Sequence, residues 1–396
     1  MKKILVLTST FPKDDLDYRP DFVKKISVGI SEKFKVFVLT PYIYGSLGFE
    51  KLNKNLLVFR FRYWFNFKNL LCDDAIVPKL KQNPFYWFVV PFFLFFQFIN
   101  IFKLVRKYDI DIIHAHWILP QGLLAVLYKK LLNKKIKILL TCHGADLYSL
   151  RKFDFIKKWV LSNCDNVTVV SLDMKNVVKD LVSSVNVEVL PMGVDTDFFK
   201  PNLKNSQKNI DKKNINLLFV GRVTEKKGLI YLVKAAQKLR DKFNLKLTII
   251  GSGDKLGEIK SYVKNHNLGN EILFLGGLNQ KDIIHYYQNS DIFIGPSIKT
   301  GCGDQEGFGL VFAEALACGC PVITTDLLAV SDIVKHLKTG IVVSQKSVSE
   351  ICDAVDKLVQ NDNLYLDLKI NSRKFILDNF DTKIIYKKYL NIFERF

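Results

Sequence analysis

Glu306 and Glu314 stand in the stretch GCGDQEGFGLVFAEALACGCP that runs from Gly301 to Pro321. An ionised carboxylate only accepts hydrogen bonds, and a vicinal diol supplies two donors, so such a pair suits the hydroxyls of a sugar or a ribose. Between the two, Gly307, Phe308 and Gly309 make a glycine-punctuated turn. Leu310 to Ala317 then form a helix-favouring run that Gly319 and Pro321 stop. A loop feeding a helix N-terminus leaves backbone N–H groups at the positive end of the macrodipole, a seat for an anion such as phosphate. Glu314 falls inside an otherwise apolar helix and needs a partner there, because a lone buried charge is costly.

Three further groups carry chemical potential. Arg222 and Lys227 lie in GRVTEKKG, directly after the apolar run Ile215 to Val220, and their charge suits a diphosphate. His114 and His116 alternate on one face of a strand in DIDIIHAHW. They make half of a metal site at most, because no third ligand follows at metal spacing. His143 closes another strand in TCHGADL. The segment GSGDKLG from Gly251 lacks the dinucleotide Gly-x-Gly-x-x-Gly and carries little weight.

The surroundings of the two glutamates, EGFGLVFAEALACGCPVI, resemble the signature of retaining GT-B glycosyltransferases of the GT4 type. The resemblance covers nearly the whole chain and is most specific from Gly221 onward. It implies that Glu306 contacts the donor sugar, that Glu314 holds the nucleotide ribose, and that Arg222 and Lys227 bind the donor diphosphate with Gly307, Phe308, Gly309 and Leu310. It also implies that His143, after a His-x-His strand, approaches the sugar near its reacting carbon. PMGVDTDFF, from Pro191 to Phe199, resembles the family's exit from the first domain. The family commonly has glycines after its first strand, whereas Phe11 to Phe22 here contains none, so the resemblance carries no donor contact to that loop.

The implied fold is α/β: two doubly wound Rossmann-like domains facing each other across a cleft. The implied activity is transfer of a sugar from a nucleotide diphosphate sugar to a glycan or lipid-linked acceptor, in cell-envelope polysaccharide or glycoconjugate synthesis. Alternatives are a nucleotide-sugar epimerase of the same fold and a non-catalytic nucleotide-sugar-binding subunit. No cofactor or metal is expected. The departing nucleoside diphosphate needs its charge neutralised, and Arg222, Lys227 and the helix N-terminus supply that. The Asp-x-Asp pairs Asp15/Asp17, Asp109/Asp111 and Asp195/Asp197 stand away from these elements.

The elements that must position these residues follow from periodicity. Short apolar runs at Ile4 to Leu7, Val36 to Leu39, Leu56 to Arg60, Ile110 to Ala115, Ile138 to Thr141, Val167 to Val170 and Val187 to Leu190 alternate with helical segments. Continuous apolar strands of this kind belong to parallel sheets covered on both faces. The pattern restarts at Ile215 and repeats through Leu245, Ile272, Ile292, Val322 and Ile341, with a helix over Leu229 to Leu239. The expected domains are 1–199, a polar linker 200–214, 215–380, and a C-terminal helix 381–396 that returns to the first domain.

A chain of 396 residues with 48% hydrophobic content suffices for two cores. The formal charge of +19 favours anionic partners: nucleotide diphosphates or an anionic membrane surface. Nucleic acid is not expected, since no recognition module is present. Seven cysteines without framework spacing predict a reducing cytosol. Phe85 to Phe102, FYWFVVPFFLFFQFINIF, has no charge and approaches the length of a membrane span. A span would divide the first strands from Ile110 to Ala115, so a cytoplasmic protein is expected. In that setting the stretch is either a long buried helix or a helix with one aromatic face exposed beside Lys103, Arg106 and Lys107 as a peripheral contact with the inner face of the cell membrane.

Overall fold

The computed structural model describes residues 1–14, 17, 19–64, 71, 72, 76, 79, 80, 83–149, 151–202 and 209–396. The chain divides into two compact units, Met1–Pro191 with Ile385–Phe396, and Met192–Ile384. Part of the 200–214 stretch lies outside the described residues, and Ile210 belongs to the core of the second unit.

The first unit holds an eight-stranded sheet in the order β3-β4-β2-β1-β5-β6-β7-β8. Its strands are β1 Lys3–Leu7, β2 Lys35–Pro41, β3 Phe49–Lys51, β4 Leu56–Phe61, β5 Ile112–His116, β6 Lys137–Cys142, β7 Asn166–Val169 and β8 Val187–Val189. All pairs are parallel except β3 with β4. Ile4, Leu5, Val6 and Leu7 are each 0% exposed. Successive side chains of a strand point to opposite faces, so both faces of this sheet are covered. The short antiparallel edge β3, whose residues Phe49 and Lys51 are exposed, has no apolar run to announce it.

Helices α1 Phe22–Ile30, α2 Phe85–Tyr108, α3 Leu123–Leu131, α4 Ala145–Tyr148, α5 Asp154–Ser162 and α6 Leu172–Leu181 connect these strands. Right-handed crossovers send α1 to one face and α2, α3, α5 and α6 to the other, because the strand order runs outward in opposite directions from β1. The α1 face is completed by Ile385, Tyr389, Ile392 and Phe393, which join Ile4, Val6, Val23 and Ile26 in one core cluster. Full burial of each such side chain is worth about 1.5–3 kcal/mol.

The second unit holds a parallel sheet in the order β11-β10-β9-β12-β13-β14. The strands are β9 Asn214–Val220, β10 Asn244–Ile250, β11 Ile272–Gly276, β12 Ile292–Gly295, β13 Val322–Thr325 and β14 Ile341–Val343. Helices α7 Leu229–Leu239, α8 Leu256–Asn265, α9 Gln280–Asn289, α10 Leu310–Ala317, α11 Val348–Gln360 and α12 Asp362–Asn379 surround it, and α13 Thr382–Arg395 leads back to the first unit. Counted within the unit, the order is 3-2-1-4-5-6, that of a dinucleotide-binding Rossmann sheet. The strand order reverses its sense between β9 and β12, and ligands of such sheets bind outside the carboxyl ends of the strands at that point.

Candidate active site

The loops after β9 and β12 flank the switch point of the second sheet, and they carry Arg222, Lys227 and Glu306. A bond from the Ile298 N–H to the Lys226 carbonyl, 2.8 Å long, ties the two loops together. Gly228 makes this approach feasible. It sits at φ 61°, and a Cβ there would fall 1.9 Å from the Pro296 carbonyl oxygen.

Lys227 Nζ forms an ion pair and hydrogen bond with Glu306 Oε2, both side chains being only 14% exposed. Lys226 Nζ pairs with Asp304 at 3.1 Å and reaches the Gln305 carbonyl. Burial alone would raise the Glu306 pKa. The charges of Lys227 and Lys226 and a backbone bond from Gly307 outweigh it and hold the carboxyl at about 2. Arg222 is exposed at the end of β9.

Gly309 then takes φ 84° and caps α10, where a Cβ would meet the Phe312 ring at 2.4 Å. The first turn of α10 thus opens without a capping side chain, beside Gly307. Phe308 is buried against Phe380, which anchors the turn from behind, and Leu310 is half-buried. The structure therefore brings Lys227, Glu306, Gly307 and Gly309 together.

Glu314 is buried one helical turn further on, and its partner is Tyr287 of α9, whose hydroxyl donates to Oε2 at 2.9 Å. Burial and the adjacent carboxylate push the Tyr287 phenol well above its ordinary value, so it stays a donor. Sequence reasoning called for a partner but had no means of finding Tyr287, which lies on a separate helix with no motif around it.

His143 belongs to the first unit, at the end of β6. Its Nε2 lies 2.9 Å from Nδ1 of His116, with the rings stacked at 5.1 Å. Phe22 and Trp117 close around it at 4.8 and 5.0 Å. His114 Nε2 meets Thr141 Oγ1 at 2.8 Å. Burial holds the imidazoles of His143 and His114 at about 3 and that of His116 well below the usual range, so all three are neutral near pH 7. Asp146 accepts from the N–H groups of His143, Gly144 and Ile118, at 3.1, 3.0 and 3.2 Å. This explains the acidic residue of HGAD as the support of the strand-end turn.

The Asp-x-Asp carboxylates have local partners. Asp111 accepts from the Lys3 N–H, Asp195 from the N–H groups of Asp197 and Phe198, and Asp197 pairs with Lys383 at 2.7 Å. Asp17 binds Arg19, and Asp15 lies outside the described residues. Among the described residues the cysteines are free thiols.

Two Rossmann-like sheets in one chain are the architecture of the GT-B fold. Sucrose-phosphate synthase from Thermosynechococcus elongatus has the same fold, with a TM-score of 0.83 over 100% of this chain and 99% of that one at 19% identity. The family profile described as Glycosyltransferase Family 4 matches residues 31–198, and that of Glycosyl transferases group 1 matches 201–375. The chain belongs to the GT4-type, group 1 glycosyltransferases. Among its relatives, N-acetyl-alpha-D-glucosaminyl L-malate synthase of Bacillus anthracis is 25% identical over 74% of this chain and 76% of its own length. The GDP-mannose-dependent alpha-(1-6)-phosphatidylinositol monomannoside mannosyltransferase of Mycobacterium tuberculosis is 28% identical over 65% of this chain and 69% of its own. The protein is thus a glycosyltransferase, with relatives in glycoconjugate synthesis.

Proposed function

We propose that this glycosyltransferase takes a sugar from a nucleoside diphosphate donor and passes it, with retention of anomeric configuration, to a lipid-linked acceptor of the cell envelope. The observation that carries the donor half is the Lys227–Glu306 pair at the switch point of the second sheet, beside the open N-terminus of α10. A diphosphate competes with Glu306 for the Lys227 ammonium and takes N–H donors from the helix end. The freed carboxylate accepts from the sugar hydroxyls. Arg222 grips phosphate oxygens from the other side of the loop. Glu314, oriented by Tyr287, accepts from the ribose diol.

The resemblance assigns His143 to the reacting carbon of the sugar. A neutral imidazole there contributes a hydrogen bond and not a cation. No resident metal is required by this account, since fixed positive charge and N–H dipoles already face the leaving group. The lipid-linked acceptor is favoured by the formal charge of +19 and by the exposed aromatic face of α2, and a relative is named for a phosphatidylinositol mannoside acceptor.

The test is a donor panel. Purified protein is incubated with UDP- and GDP-sugars and a lipid-phosphate sugar acceptor, and nucleoside diphosphate release and glycosylated lipid are followed by mass spectrometry. One donor is expected to support both. No release and no transfer with any nucleotide sugar would overturn the proposal.

A further inference from the structure

Helix α2 is one unbroken helix of 24 residues through Pro91, long and apolar enough to cross a membrane, with only 33% of its most apolar window buried. It is not the buried helix that its composition allows. Val89, Phe93, Gln97, Ile101, Leu104 and Val105 are buried, while Phe88 is 61% and Phe95 60% exposed. Crossing a bilayer is incompatible with the sheet, because β4 and β5, on either side of α2 in sequence, lie in the same sheet.

Geometry explains the exposure. At ~1.5 Å per residue the helix is about 36 Å long. The five- and six-residue strands beside it span roughly 17–20 Å at ~3.3 Å per residue. The C-terminal end of α2 leads directly into β5, so its N-terminal turns overhang the carboxyl edge of the sheet. Trp87, in that overhang, stacks on Phe153 with ring centroids 6.1 Å apart. That contact joins the tip to the start of α5, where Phe155 is 70% exposed and Trp159 stands one turn on. Arg151, Lys152 and Lys158 are exposed around these rings, and the acid of this stretch, Asp154, is paired with Lys157 at 3.0 Å. Lys103, Arg106 and Lys107 are at the far end of α2 and do not flank the tip.

We infer that the joined tips of α2 and α5 are a docking face for an anionic lipid bilayer. Phe85, Trp87, Phe88 and Phe155 enter the interface, and Arg151, Lys152 and Lys158 engage lipid phosphates. An aromatic surface with a basic rim satisfies both its apolar and its charged parts against such a bilayer. A second copy of the chain would cover the rings but set like charges against each other. Because His143 also lies at the carboxyl edge of this sheet, docking holds that edge at the headgroups, where a lipid-linked sugar is presented. This last consequence rests on the lipid-acceptor reading above, whereas the docking face does not.

The full-length protein is sedimented with phosphatidylcholine vesicles and with vesicles containing phosphatidylglycerol. Preferential binding to the anionic vesicles is expected. Phe88→Ser with Phe155→Ser, and separately Arg151→Glu with Lys152→Glu, should each weaken it about tenfold or more. Raised salt should weaken the wild type and leave the charge variant largely unaffected. Donor turnover without vesicles should be unchanged in both variants, which also verifies folding. Equal binding to both vesicles, no binding, or wild-type binding by the variants overturns the inference. So does a wild-type dimer that Phe88→Ser converts to monomers. Absence of donor turnover in every sample would count against the transferase reading alone.

Discussion

The Tyr287 hydroxyl donates to Glu314 Oε2 at 2.9 Å, and both groups are buried. This bond fixes the orientation of the carboxylate. Tyr287→Phe removes the donor while keeping the ring. A hydrogen bond to a charged group contributes about 1.5–3 kcal/mol, so the donor KM should rise roughly 10- to 100-fold with a smaller effect on kcat. Glu314→Gln should behave in the same direction. Steady-state kinetics on the two variants checks this; an unchanged donor KM in both would remove Glu314 from the ribose.

The phosphate side is tested by comparing one lysine with one aspartate. Asp197 is an exposed partner of Lys383, whereas Lys227 sits between the switch-point loops. Lys227→Ala should therefore cost two or more orders of magnitude in kcat/KM, and Asp197→Ala less than about threefold, in line with the small worth of exposed ion pairs. Transfer should also survive excess EDTA. Activity lost in EDTA and restored by magnesium or manganese would replace fixed charge with a metal in this mechanism.

The buried histidines predict the acid limb of stability. His143 and His114 titrate at about 3 in the folded protein against 6.5 unfolded, and His116 well below 6.5. Above pH 6.5 both states hold neutral rings and there is no difference. Below it the unfolded chain binds protons that the folded chain cannot, so stability falls as the pH drops toward 3, by up to about 1.4 kcal/mol per pH unit per histidine. Glu306, at about 2 against 4.5, adds a further loss below pH 4.5. The thermal midpoint should decline between pH 7 and pH 5, and His114→Asn or His116→Asn should flatten the decline. A midpoint constant over that range in the wild type would contradict the neutral cluster.

Most of the fold was legible because its strands are continuous apolar runs. Leu229 to Leu239 and Leu310 to Ala317 are helices with those limits, since Gly228 and Gly309 mark their starts and Gly319 follows the second. Edge strand β3 was not legible, because a half-solvated three-residue strand carries no hydrophobic signature. The glycine loop and Lys227 were visible as motifs, but the direct pairing of Lys227 with Glu306 depends on two loops meeting across a switch point, and spacing along the chain does not encode it. Tyr287 was hidden for the same reason. The exposure of α2 was left open between two readings by composition, and the length mismatch between helix and strands decides it. The same geometry moved the basic rim from Lys103, Arg106 and Lys107 to Arg151, Lys152 and Lys158.

The central claim is that Glu306 serves a retaining sugar transfer, and the anomeric configuration of the product tests it most directly. With an α-configured nucleotide sugar as donor, proton NMR of the product formed by the wild type should show an α linkage. Glu306→Gln at saturating donor should form no measurable product. A β linkage from the wild type, or wild-type turnover by Glu306→Gln, would contradict the account.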